Sequence, residues 1–119
     1  MKILIADDSR IARKGVLKSL SAAFSGEFDY REASNGIEAV ETYSAYSPDL
    51  VFMDLTMPEK NGIEALEEIK TMNPAAKVVI ITADIQKKTT EMVSDLGATE
   101  ILNKPVTAEK ISQIITKLV

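Results

Sequence analysis

The sequence of 119 residues contains no cysteine and no histidine, and these two absences exclude several classes of chemistry. Without cysteine the chain has no disulfide bond, thiol nucleophile, thiolate zinc site or iron–sulfur cluster. Without histidine it has no Ser–His–Asp triad, no imidazole general base and no phosphohistidine of its own. Any chemistry must therefore use carboxylates, lysine, hydroxyl groups, backbone groups or a hard metal ion.

The chain also lacks a basic excess and a long apolar run. Its 14 basic and 18 acidic side chains give a net charge of −4, which argues against a nucleic-acid-binding surface, because such surfaces usually carry excess Lys and Arg. The aliphatic runs are only a few residues long, whereas a membrane-spanning helix needs about 20 apolar residues. The apolar stretch Ile3–Ala6 is too short for a signal peptide. We therefore expect a soluble, cytoplasmic protein that contacts neither nucleic acid nor membrane.

Short apolar runs alternate with amphipathic stretches along the whole chain. Runs such as residues 3–6, 50–53 and 78–81 suit strands that are buried on both faces of a parallel sheet. The stretches between them space apolar residues three or four positions apart, as amphipathic helices do. Two such stripes are Ile63, Leu66, Ile69 and Met72, and Ile111, Ile114, Ile115 and Leu118. Thr107 is the predicted N-cap of the last helix, and Gly97 is the predicted C-cap of the helix before it.

This alternation predicts a β–α unit repeated five times. The predicted strands lie near residues 2–7, 28–33, 49–54, 77–82 and 99–103. The predicted helices lie near residues 9–24, 36–46, 62–72, 86–96 and 107–118. Because βα units form parallel sheets with right-handed crossovers, we expect one doubly wound α/β domain over residues 1–119, with helices on both faces. The fifth helix reaches the end of the sequence, so we expect no output domain.

Polar side chains stand at the carboxyl ends of four of the predicted strands. Asp7 and Asp8 follow the first strand, Asp54 ends the third, Thr82 ends the fourth and Lys104 follows the fifth. Ligands of open parallel sheets bind beyond the carboxyl ends of the strands, so we expect these side chains to meet at one edge. Taken singly, each of these residues could equally have a structural role, as a helix cap, a turn residue or a solvated charge. Three converging carboxylates, however, need a compensating cation, because like charges raise one another's pKa.

The expected cluster suits Mg²⁺, which prefers oxygen ligands and usually binds one or two carboxylates together with a phosphate. A carboxylate beside Mg²⁺ and a lysine can attack phosphorus and form an aspartyl-phosphate. The metal and the ammonium group then neutralise charge on the transferring phosphoryl group, and the hydroxyl of Thr82 can hydrogen-bond it. From the residues alone we predict a Mg²⁺-dependent phosphoacceptor carboxylate.

Four short motifs carry a resemblance to a known family. They are IADDS at residues 5–9, DLTMPEKNG at 54–62, ITA at 81–83 and NKP at 103–105. In this order and spacing they resemble the receiver domain of bacterial two-component response regulators, in particular single-domain regulators of the chemotaxis CheY type. The resemblance covers essentially the whole chain. It implies a (βα)5 flavodoxin-like fold with strand order 2-1-3-4-5, and a cis peptide bond before Pro105.

The resemblance also implies a role for each residue of the cluster. Asp54 would be the phosphorylation site, and Thr82 and Lys104 would contact the phosphoryl oxygens. The Mg²⁺ ligands would be the side chains of Asp8 and Asp54, Asp7 largely through water, and the backbone carbonyl of Thr56.

The implied partners fit the absence of histidine from this chain. A sensor histidine kinase would carry the phosphohistidine and act as phosphodonor, while this chain supplies the aspartate that receives the phosphoryl group. A downstream protein would then bind a changed face built from the fourth helix, fifth strand and fifth helix. The chain would be a signalling protein rather than an enzyme, and we expect a monomer, with a dimer as the alternative.

The sequence departs from the family pattern at Ile101, three residues before Lys104, where receiver domains typically carry Tyr or Phe. Family regulators couple the inward movement of the threonine, here Thr82, to rotation of that ring. Thr82 and Ile101 would therefore form a switch without an aromatic ring, or Ile101 is simply a core residue of its strand. Thr56 and Asp84 occupy positions that resemble those that tune dephosphorylation in the family.

Two alternatives to a working receiver remain. One is a pseudo-receiver, folded but used only for protein contacts, which the departure at Ile101 leaves open. The other is a phosphohydrolase of the haloacid-dehalogenase type, which also uses an aspartate nucleophile at a strand end. That class places a second aspartate two residues after the first, where this chain has Thr56, and usually adds a cap domain.

Overall fold

The computed structural model describes residues 1–24, 27–83 and 86–118, and within them the chain forms five strands and five helices in alternation. The strands are β1 Lys2–Ala6, β2 Asp29–Ala33, β3 Leu50–Asp54, β4 Val78–Thr82 and β5 Glu100–Asn103. The helices are α1 Arg10–Ala23, α2 Gly36–Tyr46, α3 Gly62–Met72, α4 Lys87–Asp95 and α5 Ala108–Leu118. Each predicted element is present, and each bound lies within one residue of the predicted one.

The five strands form one parallel sheet in the order β2-β1-β3-β4-β5, which confirms the fold class and the strand order. The long aliphatic runs form the three central strands, and β3 and β4 are buried at every position. The mixed sequence of β2 forms an edge strand whose first four residues are exposed. Continuous apolar runs therefore mark the centre of this sheet, as expected for strands covered on both faces.

The core consists of two clusters, one on each face of the sheet, because successive strand residues point to opposite faces. On one face α2, α3 and α4 cover residues such as Leu4, Met53 and Ile80. On the other face α1 and α5 cover residues such as Phe52 and Ile81. The chain thus forms the three-layer sandwich that alternating βα units predict.

The helix ends confirm the predicted caps. The hydroxyl of Thr107 accepts a hydrogen bond from the backbone N–H of Lys110 in the first turn of α5, at 3.2 Å. Gly97 has a φ of 96°, and the amides of Gly97 and Ala98 donate to the carbonyls of Ser94 and Val93. This pair of bonds is a Schellman motif, whose left-handed position favours glycine.

The predicted stripe on α3 is wrong at its last position. Leu66 and Ile69 are buried and Ile63 is partly buried, but Met72 is 46% exposed. Met72 lies at the end of α3, directly before the C-cap Asn73. The apolar period of a sequence can continue to the last residue of a helix even where no other element packs against that residue. Periodicity alone therefore overstates burial at helix ends.

The helices have 9 to 14 residues each. Among the residues that the structure describes, none of them combines the length and the apolar character that crossing a membrane requires. The cytoplasmic location stays a prediction.

Candidate functional site

The register of the sheet brings the predicted polar residues to its carboxyl edge. Ala6 of β1 pairs with Met53 of β3, so Asp7 follows β1 beside Asp54, the last residue of β3. Carboxylate oxygens of Asp7, Asp8 and Asp54 lie within 4.8 Å of one another. The structure therefore shows the expected convergence of three carboxylates, contributed by two neighbouring strands.

The three carboxylates differ in burial. Asp7 and Asp54 are only 4% and 7% exposed, whereas Asp8 is exposed. Charged carboxylates are rarely this buried without a partner of opposite charge. The buried pair therefore has to be compensated within the site, while Asp8 lies at its solvent side.

Lys104 supplies this compensation. Its ammonium nitrogen lies 3.3 Å from Oδ2 of Asp7 and 3.3 Å from Oδ1 of Asp54. The end of β5 holds it there, because the backbone N–H of Lys104 donates to the carbonyl of Thr82 at 3.0 Å. The peptide bond to Pro105 is cis, as expected. Lys104 is thus part of the carboxylate cluster and not a solvated loop charge.

The balance of these charges shifts two pKa values upward. Burial raises the pKa of Asp54, the neighbouring Asp7 raises it further, and Lys104 opposes the shift without cancelling it. For Lys104, burial lowers the pKa, but the carboxylates of Asp54 and Asp7 together outweigh burial and raise it. The lysine therefore stays protonated, and the site retains an excess of negative charge that a further cation would stabilise.

Asp7 is bound at every polar atom. Its carboxylate accepts a hydrogen bond from the backbone N–H of Ser9 at 2.9 Å and contacts Lys104 through the other oxygen. Its backbone N–H donates to the carbonyl of Ala33, and its backbone carbonyl accepts from the guanidinium group of Arg13. Both carboxylate oxygens of Asp7 are therefore engaged by the protein, and its contact with a metal through water stays a prediction.

Gly62 holds the connection between β3 and α3 close to Asp54. A Cβ at this position would lie 2.1 Å from the backbone oxygen of Asp54 and 2.7 Å from Cα of Leu55. The backbone N–H of Gly62 also donates to the carbonyl of Leu55 at 2.9 Å. Only glycine permits this approach, which folds the loop that carries Thr56 back over the end of β3. Thr56 is exposed, and its carbonyl as a metal ligand stays a prediction.

The two residues of the predicted switch lie on neighbouring strands, Thr82 at the end of β4 and Ile101 within β5. Thr82 is buried and pairs with Asn103, and Ile101 is half-buried and pairs with Ile80. Ile101 packs against the cluster beneath α2, α3 and α4, so it also contributes to the core. Asp84, the second candidate for tuning dephosphorylation, lies outside the described residues.

Sequence reasoning missed two residues that hold Asp7. Ser9 caps α1, with its hydroxyl accepting from the N–H of Ala12 at 3.2 Å, and its own N–H binds the Asp7 carboxylate. Arg13 binds the backbone of Asp7. The cap has a sequence signal in a serine before an amphipathic stretch, whereas nothing in the sequence distinguishes Arg13 from Arg10 or Lys14.

Comparison with known proteins identifies the family of the chain. Residues 3–116 match the response regulator receiver domain family. The chain is 38% identical over 116 residues to the chemotaxis protein CheY of Bacillus subtilis, covering 98% of this chain and 95% of the relative. It is 34% identical over 120 residues to the protein CcdB of the same organism, covering 98% and 96%.

A solved structure shows the same likeness in three dimensions. The crystal structure of the CheX–CheY–BeF3–Mg²⁺ complex from Borrelia burgdorferi matches with a TM-score of 0.91 and 27% sequence identity. The match covers 100% of this chain and 90% of that one. The chain belongs to the response regulator receiver domain family and is CheY-like over nearly its whole length.

Proposed function

We propose that this protein is a stand-alone phosphoacceptor switch, which receives a phosphoryl group on Asp54 from a sensor histidine kinase. One observation carries the proposal: the ammonium group of Lys104 lies 3.3 Å from the carboxylates of both Asp54 and Asp7, within a cluster that includes Asp8. The match to the CheY of B. subtilis covers 95% of that relative, which supports a switch of the CheY kind.

On this chain, the transfer uses the side chains of Asp54, Lys104 and Thr82. A carboxylate oxygen of Asp54 attacks the phosphorus of the partner's phosphohistidine and forms an O–P bond. The P–N bond breaks, and the imidazole leaves with the electron pair and takes up a proton from solvent. Lys104 neutralises charge on the phosphoryl oxygens, and the hydroxyl of Thr82 hydrogen-bonds the group once it is in place.

The donor set fits Mg²⁺. Three carboxylates converge within 4.8 Å and Lys104 is close to two of them, so the oxygen-rich cluster retains negative charge. When bound, the metal supplies further charge neutralisation on the phosphoryl group. The residues that would hold it are Asp8, Asp54, the carbonyl of Thr56, and Asp7 through water. The CheY of B. burgdorferi was crystallised in a complex that contains both BeF3 and Mg²⁺.

Phosphorylation would then be read by a second protein. We place the readout on the face of α4, β5 and α5, where Thr82 ends β4 and Ile101 lies in the adjacent β5. A partner that binds one arrangement of this face better than the other shifts the population toward it. The complex of CheY with CheX shows that a related receiver does bind another protein. Here the readout would proceed through the aliphatic Ile101, without an aromatic ring.

Phosphorylation by a small phosphodonor such as phosphoramidate tests the proposal. With Mg²⁺ present we expect intact-mass spectrometry to show one added phosphoryl group, and none in EDTA. Asp54→Asn should take up none. Asp95→Asn, which changes an exposed aspartate at the end of α4, is the matched control and should be labelled like the wild type.

The same assay separates the alternatives. Absence of label from a folded wild-type protein would indicate a pseudo-receiver. Repeated turnover of a phosphomonoester would indicate a phosphohydrolase, which the family assignment and Thr56 argue against.

A further inference from the structure

Arg13 links the backbone of the carboxylate cluster to the edge of the sheet. Its Nη1 donates to the backbone oxygen of Asp7 at 2.7 Å, and its Nε donates to Oε1 of Glu32 at 3.0 Å. The side chain of Arg13 is only 15% exposed, and its bond to the Asp7 backbone is partly buried, whereas its bond to Glu32 lies at the surface. A guanidinium group held at two of its donors has a fixed orientation.

The oxygen that Arg13 binds belongs to the peptide unit between Asp7 and Asp8. Because a peptide unit is planar and ends at the next Cα, the bond also fixes the position from which the Asp8 side chain leaves the backbone. The N–H of Asp7 is held as well, by the carbonyl of Ala33 at 3.0 Å. Asp8 accepts no hydrogen bond from any residue in the described part of the chain. Its placement therefore depends on its backbone.

We propose that Arg13 is a positioning residue for the divalent-metal site, which acts through the peptide unit between Asp7 and Asp8 without touching the metal. The inference rests on the proposed function, in which Asp8 binds Mg²⁺. Glu32 takes part by holding the guanidinium group toward Asp7.

If Arg13 acted only through its charge, it would weaken Mg²⁺ binding rather than support it. A cation near three carboxylates repels a second cation, so removing a mere charge would strengthen Mg²⁺ binding. Removing a group that orients a ligand weakens binding instead, commonly by about 10- to 100-fold. The sign of the change in Mg²⁺ affinity therefore separates a positioning role from a purely electrostatic one.

Isothermal titration of the unphosphorylated full chain with Mg²⁺ tests the proposal. We expect Arg13→Met to weaken Mg²⁺ binding about tenfold, the lower end of the range for groups that orient metal ligands. Arg10→Met removes the same charge from the first turn of α1, at an exposed arginine that bonds to no described residue. It should bind Mg²⁺ as tightly as the wild type or more tightly. Equal affinities of the two variants, or tighter binding by Arg13→Met, would overturn the proposal.

Mg²⁺ binding by the wild type and the folding of Arg13→Met are the two controls of this experiment. Wild-type protein that binds no Mg²⁺ overturns the proposed function, and this inference with it, whereas wild-type binding with no effect of Arg13 overturns the inference alone. Circular dichroism in EDTA establishes that Arg13→Met is folded. Should it not fold, Arg13→Lys, which keeps the charge but loses the planar fork, is compared with Arg10→Lys. Weaker binding by Arg13→Lys supports the proposal, and equal binding contradicts it.

Discussion

At the scale of single residues, the site places two buried carboxylates around one ammonium group. Asp7 and Asp54 are both 3.3 Å from Lys104, yet only Asp7 receives a further bond from the backbone N–H of Ser9. Asp54 is therefore the less compensated of the two. Among the described residues no backbone N–H bonds to the Asp54 carboxylate, and a buried carboxylate beside a protonated lysine fits the proposed role of nucleophile toward phosphorus.

The raised pKa of Asp54 predicts a pH dependence of stability in metal-free protein. Burial first, and then Asp7, raise this pKa above its ordinary value of 3.8. The folded state then holds the proton more tightly than the unfolded state, so the stability associated with protonated Asp54 is lost as pH rises from 3.8 through the folded pKa. We expect the wild type to lose stability relative to Asp54→Asn across this range, as measured by urea unfolding in EDTA.

Two results decide this prediction. The difference in free energy of unfolding between wild type and Asp54→Asn should shrink as the pH falls through the folded pKa of Asp54 toward 3.8 and change little below that. Mg²⁺ should restore the stability of the wild type at neutral pH. A difference that stays constant over the whole pH range would show that the ionisation of Asp54 does not cause it.

At the scale of elements, two glycines in helices serve different purposes. Gly62 begins α3 against the end of β3, where a Cβ would collide with the backbone of Asp54. Gly15 lies within α1, and a Cβ there would meet nothing within 4 Å. The first glycine is required by packing at the site, whereas the second is required by nothing in its surroundings.

These surroundings predict opposite effects of one substitution. Gly62→Ala should destabilise the protein by about 1–3 kcal/mol, as overpacking does, and slow phosphorylation of Asp54 by moving its backbone. Gly15→Ala should stabilise it by about 0.5–1 kcal/mol, because alanine is the better helix residue. Urea unfolding measures both. If Gly62→Ala is neutral or stabilising, the loop between β3 and α3 can shift without loss of free energy of unfolding, contrary to this prediction.

The elements show how far sequence reasoning extends. The three central strands and the helices were predictable because aliphatic runs and stripes of apolar residues have different periods, whereas the mixed sequence of β2 was predictable mainly from its place in the β–α alternation. The caps at Gly97 and Thr107 were predictable because they depend on local chemistry. The exposure of Met72 and the bond from Arg13 to Asp7 were not, since both depend on which element lies alongside in the folded chain.

At the scale of the whole molecule, the parallel sheet joins the site to the core. All five strands point the same way, so their carboxyl ends form a single edge, and this made the candidate site predictable from strand ends alone. The strand interiors form the two apolar clusters. Asp7 and Asp8 are adjacent and have the same side chain, so the sequence does not distinguish them. The packing of the folded chain buries Asp7 and leaves Asp8 exposed.

The assignment of core and surface predicts the cost of two further substitutions. Phe52 is fully buried at the centre of the sheet, so Phe52→Ala should cost about 3–5 kcal/mol. Met72→Ala, at an exposed apolar residue, should change stability by no more than about 0.5 kcal/mol. Chemical denaturation compares the two. A cost for Met72→Ala of about 2 kcal/mol or more would place that residue in the core after all.

The measurement that tests the central claim most directly is localisation of the phosphoryl group. After reaction with phosphoramidate and Mg²⁺, borohydride reduces an aspartyl-phosphate to homoserine, which peptide mass spectrometry can place in the sequence. We predict homoserine at position 54 alone, and none when EDTA replaces Mg²⁺. Reduction at Asp7, Asp8 or another position, or no reduction in folded protein, would contradict the assignment of Asp54 as the phosphoacceptor.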